Sequence, residues 1–262
     1  MTVSRDGSDD KALWNGPAGQ AWVAASDALD AMFQPFEDLL VETATTKSRE
    51  WVLDVGCGTG STTIALEKAL GPGCQCVGVD ISAPMLEHAR ARAEREGASV
   101  SFLLADAERH AFERARFDLI VSRFGVMFFE DSVRAFENLR RAARDGAELC
   151  LVVWRGPEEN PFMTAAERAA ATVLPNVPAR EPDAPGQFGF ANPSRVSRIL
   201  KESGWNDVVL SPIVIHQRRR GDFRNSGIYA GLQHGGCDWR FDGRSRTSAR
   251  RSGAYARPSK LA

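Results

Sequence analysis

Residues 52–61, VLDVGCGTGS, constrain this chain more than any other stretch. An apolar run with strand character leads into three glycines, at 56, 58 and 60, and then into a helix start near Ser61. Glycine lets the backbone turn tightly and approach a ligand closely, where a side chain would take up the ligand's space. The helix behind the turn presents free N–H groups at its N-terminus. A turn between a strand and a helix often uses glycine for structural reasons alone, so the segment acquires meaning only from its surroundings.

Those surroundings are regular. From residue 51 to about 216, short apolar runs alternate with amphipathic stretches, the pattern of a parallel sheet covered by helices. Strands are expected at 51–56, 75–80, 100–105, 117–122, 147–154 and 207–215. Helices are expected at 83–96, with Ser82 as N-cap and Met85, Leu86, Ala89 and Ala93 on one face, at 132–143, and at 193–203, opened by Pro193 and closed by Gly204. Residues 17–45 read as a pair of amphipathic helices broken near Pro35, and residues 156–192 as a helix with a long proline-rich loop. No internal repeat is visible.

The third glycine falls one position earlier than in the G-x-G-x-x-G turn of dinucleotide-binding folds, and Asp54 stands just before the turn. A carboxylate there repels a pyrophosphate but suits an ammonium group. The second strand ends in Asp80, twenty residues beyond Gly60, where an acid can accept hydrogen bonds from both hydroxyls of a ribose. The third ends at Asp106, whose short carboxylate can meet an exocyclic amine. Three acids at the carboxyl ends of successive parallel strands point into one crevice, where ligands of such sheets bind.

VLDVGCGTGS, the Asp80 strand end, LLADAE and FDLIVSRFGVMFFED together resemble class I S-adenosylmethionine-dependent methyltransferases, of the small-molecule branch that includes ubiquinone and menaquinone biosynthesis enzymes. The resemblance covers roughly residues 14–215. It implies a Rossmann-like, doubly wound, mostly parallel α/β sheet that binds S-adenosyl-L-methionine. Asp54, Val55, Gly56, Cys57, Gly58, Thr59 and Gly60 would surround the methionine part, and Asp80 would hold the ribose. Ile81 and Met85 would sandwich the adenine, Asp106, Ala107 and Glu108 would read its edge, and Ser122 would line the methyl-donor side. Arg123 and Phe124 would face the acceptor. Residues 14–22 are similar to the segment that closes over the cofactor in this family, although Trp14 and Trp22 could equally pack helices onto the sheet edge.

The implied reaction needs no enzyme nucleophile, because a sulfonium methyl is already electrophilic; holding the acceptor in line can lower the barrier by up to about 7–11 kcal/mol. An oxygen acceptor would call for a base, for which His110 is the candidate, with Arg123 a second catalytic candidate; His88 is expected on the surface of its helix. The rivals are a nicotinamide oxidoreductase, disfavoured by the glycine spacing and Asp54, and a protein that binds the cofactor without turnover. A nucleic-acid methyltransferase is disfavoured because no Asn-Pro-Pro-Tyr type motif follows the fourth strand.

Composition sets the remaining bounds. The 262 residues carry a net charge of −1 and five cysteines, too few and too scattered for a disulfide framework, and Cys74 and Cys76 are too close and isolated for a zinc site. No metal is expected. The N-terminus lacks a secretory pattern and no apolar run spans a bilayer, so a cytoplasmic protein with a small-molecule acceptor is the reading. The chain divides into an N-terminal helical lid (1–46), a cofactor-binding domain (47–216) and a basic tail (217–262). That tail holds ten Arg and one Lys against three Asp, and seven glycines interrupt any period. It reads as disordered, with a nucleic-acid arm as the alternative. It offers no convincing seventh strand, so the last strand of the sheet is expected to be missing and the chain to be destabilised relative to its relatives.

Overall fold

The computed structural model describes residues 7–174, 180–215 and 226–232. Its seven-stranded sheet runs in the order β3-β2-β1-β4-β5-β7-β6, with β1 Trp51–Val55, β2 Gln75–Asp80, β3 Val100–Leu104, β4 Phe117–Arg123, β5 Ala143–Trp154, β6 Val209–Ile215 and β7 Ser226–Leu232. The first five strands are parallel, and β7 is antiparallel to both of its neighbours. Strand order reverses between β1 and β4, which opens a crevice at their carboxyl ends. Val52, Leu53 and Val55 in β1 and Leu119, Ile120 and Val121 in β4 are buried, as expected of strands with both faces covered.

The helices are α1 Gly7–Asn15, α2 Pro17–Ala24, α3 Ser26–Ala44, α4 Ser61–Leu70, α5 Ala83–Glu96, α6 Ser132–Ala142, α7 Ala165–Ala171 and α8 Pro193–Glu202. Their ends follow local chemistry. Ser82 caps α5 by accepting from the Met85 N–H, and Gly97, at φ +66°, closes it. Asp131 accepts from the Arg134 N–H to start α6, and Asn192 caps α8 ahead of Pro193. Trp205, fully buried, donates its indole N–H to the Phe136 carbonyl at 3.0 Å and so ties the segment after α8 to α6.

Two expectations are corrected. Helix α3 runs straight through Pro35, and the break falls at Ala25 (φ −101°, ψ 7°) instead. A proline inside a helix costs about 3 kcal/mol. Burying Phe33, Phe36, Leu39 and Leu40 on one stripe of α3 returns about 1.5–3 kcal/mol each, which outweighs it.

The second correction concerns the seventh strand, expected to be missing. Residues 226–232 fill the slot, pairing Trp154 with Ile228 on one side and Ile213 with Ile228 on the other. Gly227 and Gly231 weaken the strand by roughly 0.5–1 kcal/mol each. An open slot would strand several buried N–H and C=O groups at about 1–3 kcal/mol apiece, so the demand of the neighbours prevails. With the slot filled, the argument for a destabilised chain loses its basis. Pro212 sits in β6, the outermost strand, where a missing ladder donor is tolerated. The remainder of the basic tail, 217–225 and 233–262, lies outside the described residues, as does Cys237.

Candidate active site

The crevice is built around Asp80. Its Oδ2 accepts from the Gly58 N–H and its Oδ1 from the Ser82 N–H, both at 2.8 Å, so the carboxylate is fixed between the glycine turn and the start of α5. A carboxylate can accept about four hydrogen bonds, which leaves capacity for a ligand's hydroxyls. Burial raises its pKa, against the pull of these backbone donors. Asp54 lies deeper, fully enclosed, with Thr63 Oγ1 donating to its Oδ2 at 2.7 Å. Burial pushes its pKa up to about 6, opposed by the Thr63 hydroxyl and the Arg123 guanidinium and aided by the charges of Asp80 and Glu37. Two acids that hold their charge reluctantly, Asp54 buried and Asp80 half-buried, make a place where a cation is welcome.

The turn between them is shaped by the protein itself. Gly56, Gly58 and Gly60 have φ of +69°, +55° and +81°. A Cβ at 56 would lie 2.5 Å from the Gly125 Cα, one at 58 would lie 2.8 Å from Met85 Cε, and one at 60 would press on Phe102 and Ala89. Side chains at these positions would meet neighbouring protein atoms. Cys57 is buried, its thiol pushed well above its usual range by burial, and Val55 and Thr59 are buried beside it.

The wall opposite is the end of β4. Ser122, fully buried, donates to the Val55 carbonyl at 2.7 Å and accepts from the Gly125 and Val126 N–H groups at 3.2 and 3.3 Å. It clamps two strand ends together. Arg123 turns toward α3 and α4, donating to Ser61 Oγ at 2.7 Å and Glu37 at 3.5 Å, with Asp30 3.7 Å away. Arginine does not give up its proton, so its chemistry here is to bind and hold.

Asp106 accepts from the Glu108 N–H at 2.9 Å and its carbonyl from His110 N at 2.8 Å, so it caps a turn while leaving its side chain partly exposed. Ala107 is buried against Asn138, which donates to its carbonyl at 2.9 Å. Glu108 is buried and accepts from the Asp131 N–H at 3.2 Å. The His110 ring packs edge-on against Phe112 at 4.7 Å, and His88 is half-buried on α5.

Several contacts escaped the sequence reading. Asn15 donates to the Ile81 carbonyl at 3.0 Å and accepts from the Ala83 N–H at 2.9 Å, while Ser82 Oγ donates to the Trp14 carbonyl at 2.6 Å. These bonds fasten the α1–α2 junction to the loop that follows Asp80. The Asn-Gly-Pro run at 15–17 was the available signal. Asp30 and Glu37, two helical turns apart on α3, both reach Arg123, and that spacing was readable too. Among the described residues, no group of three or more His, Cys, Asp or Glu could hold a metal ion, and no helix is long and apolar enough to cross a membrane. Cys57, Cys74, Cys76 and Cys150 are free and buried.

Comparison with known proteins points the same way. Residues 52–146 match the family described as "Methyltransferase domain". A demethylmenaquinone methyltransferase of Thermus thermophilus is 35% identical over 122 residues, 47% of this chain and 55% of that protein. The aklanonic acid methyltransferase DauC of a Streptomyces species is also 35% identical over 122 residues, covering 44% of this chain and 55% of the relative. The chain thus spans about half the length of these two relatives. Magnesium protoporphyrin IX methyltransferase from Synechocystis, solved with bound S-adenosylhomocysteine, superposes with a TM-score of 0.62 at 18% identity, covering 87% of this chain and all of the other, which is a likeness of fold. Sheet order, the acid-flanked glycine turn and the matched segment agree in making this chain similar to S-adenosylmethionine-dependent methyltransferases.

Proposed function

We propose that this protein transfers a methyl group from S-adenosyl-L-methionine to a small-molecule acceptor. The observation that carries the reading is the pinned carboxylate of Asp80, held between the Gly58 and Ser82 N–H groups with capacity to spare. Asp80 takes the ribose diol and Asp54 the ammonium end, with residues 55–60 around the methionine chain. Ile81 and Met85 flank the adenine, and Asp106, Ala107 and Glu108 meet its edge. Ser122 keeps the β1 and β4 ends in register so that the turn and the opposite wall hold their spacing. When bound there, the cofactor would supply an electrophilic methyl group on its sulfonium sulfur, and these residues would hold it in line with the acceptor's electron pair.

The protein's work in this reading is to align and to exclude water. Residues 1–46 act as the lid, supported by the bonds from Trp14 and Asn15 to residues 81–83. Arg123 serves as a positioning residue that joins α3 to the start of α4, and His110 remains the candidate base for an acceptor that must lose a proton. Two relatives are named for small-molecule substrates, demethylmenaquinone and aklanonic acid, which supports an acceptor of that class. Nucleic acid is not expected as a partner, and the reading includes a cytoplasmic setting in which the described cysteines stay reduced.

Calorimetric titration with S-adenosylhomocysteine and with NAD tests the reading. Binding of the first alone is expected, and Asp80→Ala should weaken it about 100-fold or more, since two hydrogen bonds to a charged acceptor are worth about 1.5–3 kcal/mol each. Binding of NAD alone, or unchanged affinity in Asp80→Ala, would overturn it.

A further inference from the structure

Asn138 is a buried amide in the middle of α6, where a polar side chain costs stability unless its hydrogen bonds are made. Here the donors are spent off the helix. The side-chain NH2 donates to two carbonyls of the turn that follows β3, those of Ala107 at 2.9 Å and His110 at 2.8 Å, which lie 31 and 28 positions back in the chain. Its Oδ1 accepts from Arg141, one turn further along α6, at 3.2 Å. Both hydrogens of the amide are thus committed to the turn that carries Asp106.

The first of these bonds reaches the Asp106 carboxylate through one peptide unit. The Ala107 carbonyl and the Glu108 N–H are the two ends of the same planar group. Asn138 holds the carbonyl end, and the N–H end donates to Asp106 Oδ1 at 2.9 Å. A rigid peptide gripped at one end aims the carboxylate at the other, and polarisation along the chain of bonds strengthens both. The second bond closes the same turn, because His110 donates its own N–H to the Asp106 carbonyl at 2.8 Å. The Asp106 side chain is 41% exposed, and its Oδ2 stands 3.7 Å from the Arg109 Nε, beyond hydrogen-bond length, so that oxygen can accept from a ligand.

We propose that Asn138 is a positioning residue for base selection: by fixing the 107–108 peptide it points Asp106 at an exocyclic amine, and so sets the preference for adenine over a base that carries oxygen at that place. The proposal rests on the methyl-transfer reading above, in which Asp106 meets the adenine edge. An amine donates to the carboxylate, whereas a carbonyl oxygen brings two acceptors face to face. A carboxylate free to swing would turn away from that oxygen and discriminate less. The pinned one cannot.

The test is calorimetric titration of the full chain with S-adenosylhomocysteine and with S-inosylhomocysteine, its hypoxanthine counterpart. The wild type should prefer the first by about 10- to 100-fold, the range of a hydrogen bond to a charged acceptor. Asn138→Leu, similar in size but without donors, should cut that ratio by about 3- to 10-fold, mainly by weakening S-adenosylhomocysteine. Asp106→Asn, which can donate to the oxygen as well as accept from the amine, should bring the ratio close to one, and Asn138→Leu added to it should change the ratio no further. Ser203→Ala removes buried hydrogen bonds to the Ile199 and Leu200 carbonyls in α8; as the structural control it should keep the wild-type ratio. Equal affinities in the wild type, or a ratio unmoved by Asp106→Asn, overturn the proposal even where Asn138→Leu does not fold. A wild-type ratio in folded Asn138→Leu, a further fall in the double variant, or an equal fall in Ser203→Ala overturns it as well. If S-adenosylhomocysteine fails to bind the wild type, the underlying methyl-transfer reading fails first, and the two failures are distinct.

Discussion

Lowering the pH should loosen the cofactor's grip through Asp54. Its pKa of about 6 arises because it is buried, and an ammonium group favours its ionised form. If only the ionised form binds, the apparent dissociation constant scales as one plus the ratio of proton activity to the acid constant. Between pH 7 and pH 5 that factor rises from about 1.1 to about 11, a loss of about tenfold in affinity. The assay is calorimetric titration of S-adenosylhomocysteine, which retains the ammonium group, at pH 5, 6, 7 and 8. Asp54→Asn keeps a partner for Thr63 but cannot ionise, so it should bind more weakly at pH 7 and lose most of the slope. Asp80, also raised, can leave a residual dependence of its own. A flat wild-type profile, or a slope wholly retained in Asp54→Asn, would refute the reasoning. The free protein runs the other way. With a folded pKa above the ordinary 3.8, the native state binds more protons between pH ~4 and ~6, so this group favours folding as pH falls through that window and opposes it at pH 7.

Three further outcomes are expected. Gly56→Ala, which forces a Cβ to within 2.5 Å of Gly125 at φ +69°, should destabilise the fold by roughly 2–4 kcal/mol, read as a lowered denaturation midpoint. Asn15→Ala removes two bonds that tie the segment proposed as the lid to residues 81 and 83; it should weaken cofactor binding by roughly 3- to 30-fold with little change in midpoint, and faster proteolysis near residue 15 would mark the loosened segment. Ending the chain at residue 215 removes β7 and leaves β5 and β6 with open ladders, so thermal unfolding should lose its cooperativity.

The parts of the fold legible in the sequence are those fixed by local chemistry. The α5 boundaries follow from Ser82 and Gly97, and the strands from apolar runs with both faces covered. Asp54, Asp80 and Asp106 could be placed because a parallel sheet carries successive strand ends to one edge. What stayed hidden was settled over distance. Pro35 sits within a helix because distant side chains bury its flanking residues, and residues 226–232 become a strand because β5 and β6 require one. The Phe124–Trp154 stack joins residues thirty apart in sequence through a backbone conformation that no propensity suggests. Arg123 was visible as a residue, but its commitment to Asp30, Glu37 and Ser61 depends on how α3 lies across the sheet.

The position of β7 inverts the order of synthesis and the order in space. As the chain leaves the ribosome, β6 emerges before the strand that must separate it from β5, so it can dock in its native place only after residues 226–232 have followed. Until then the nascent domain displays two unsatisfied ladders side by side, and β6 docked directly on β5 is the nearest wrong answer.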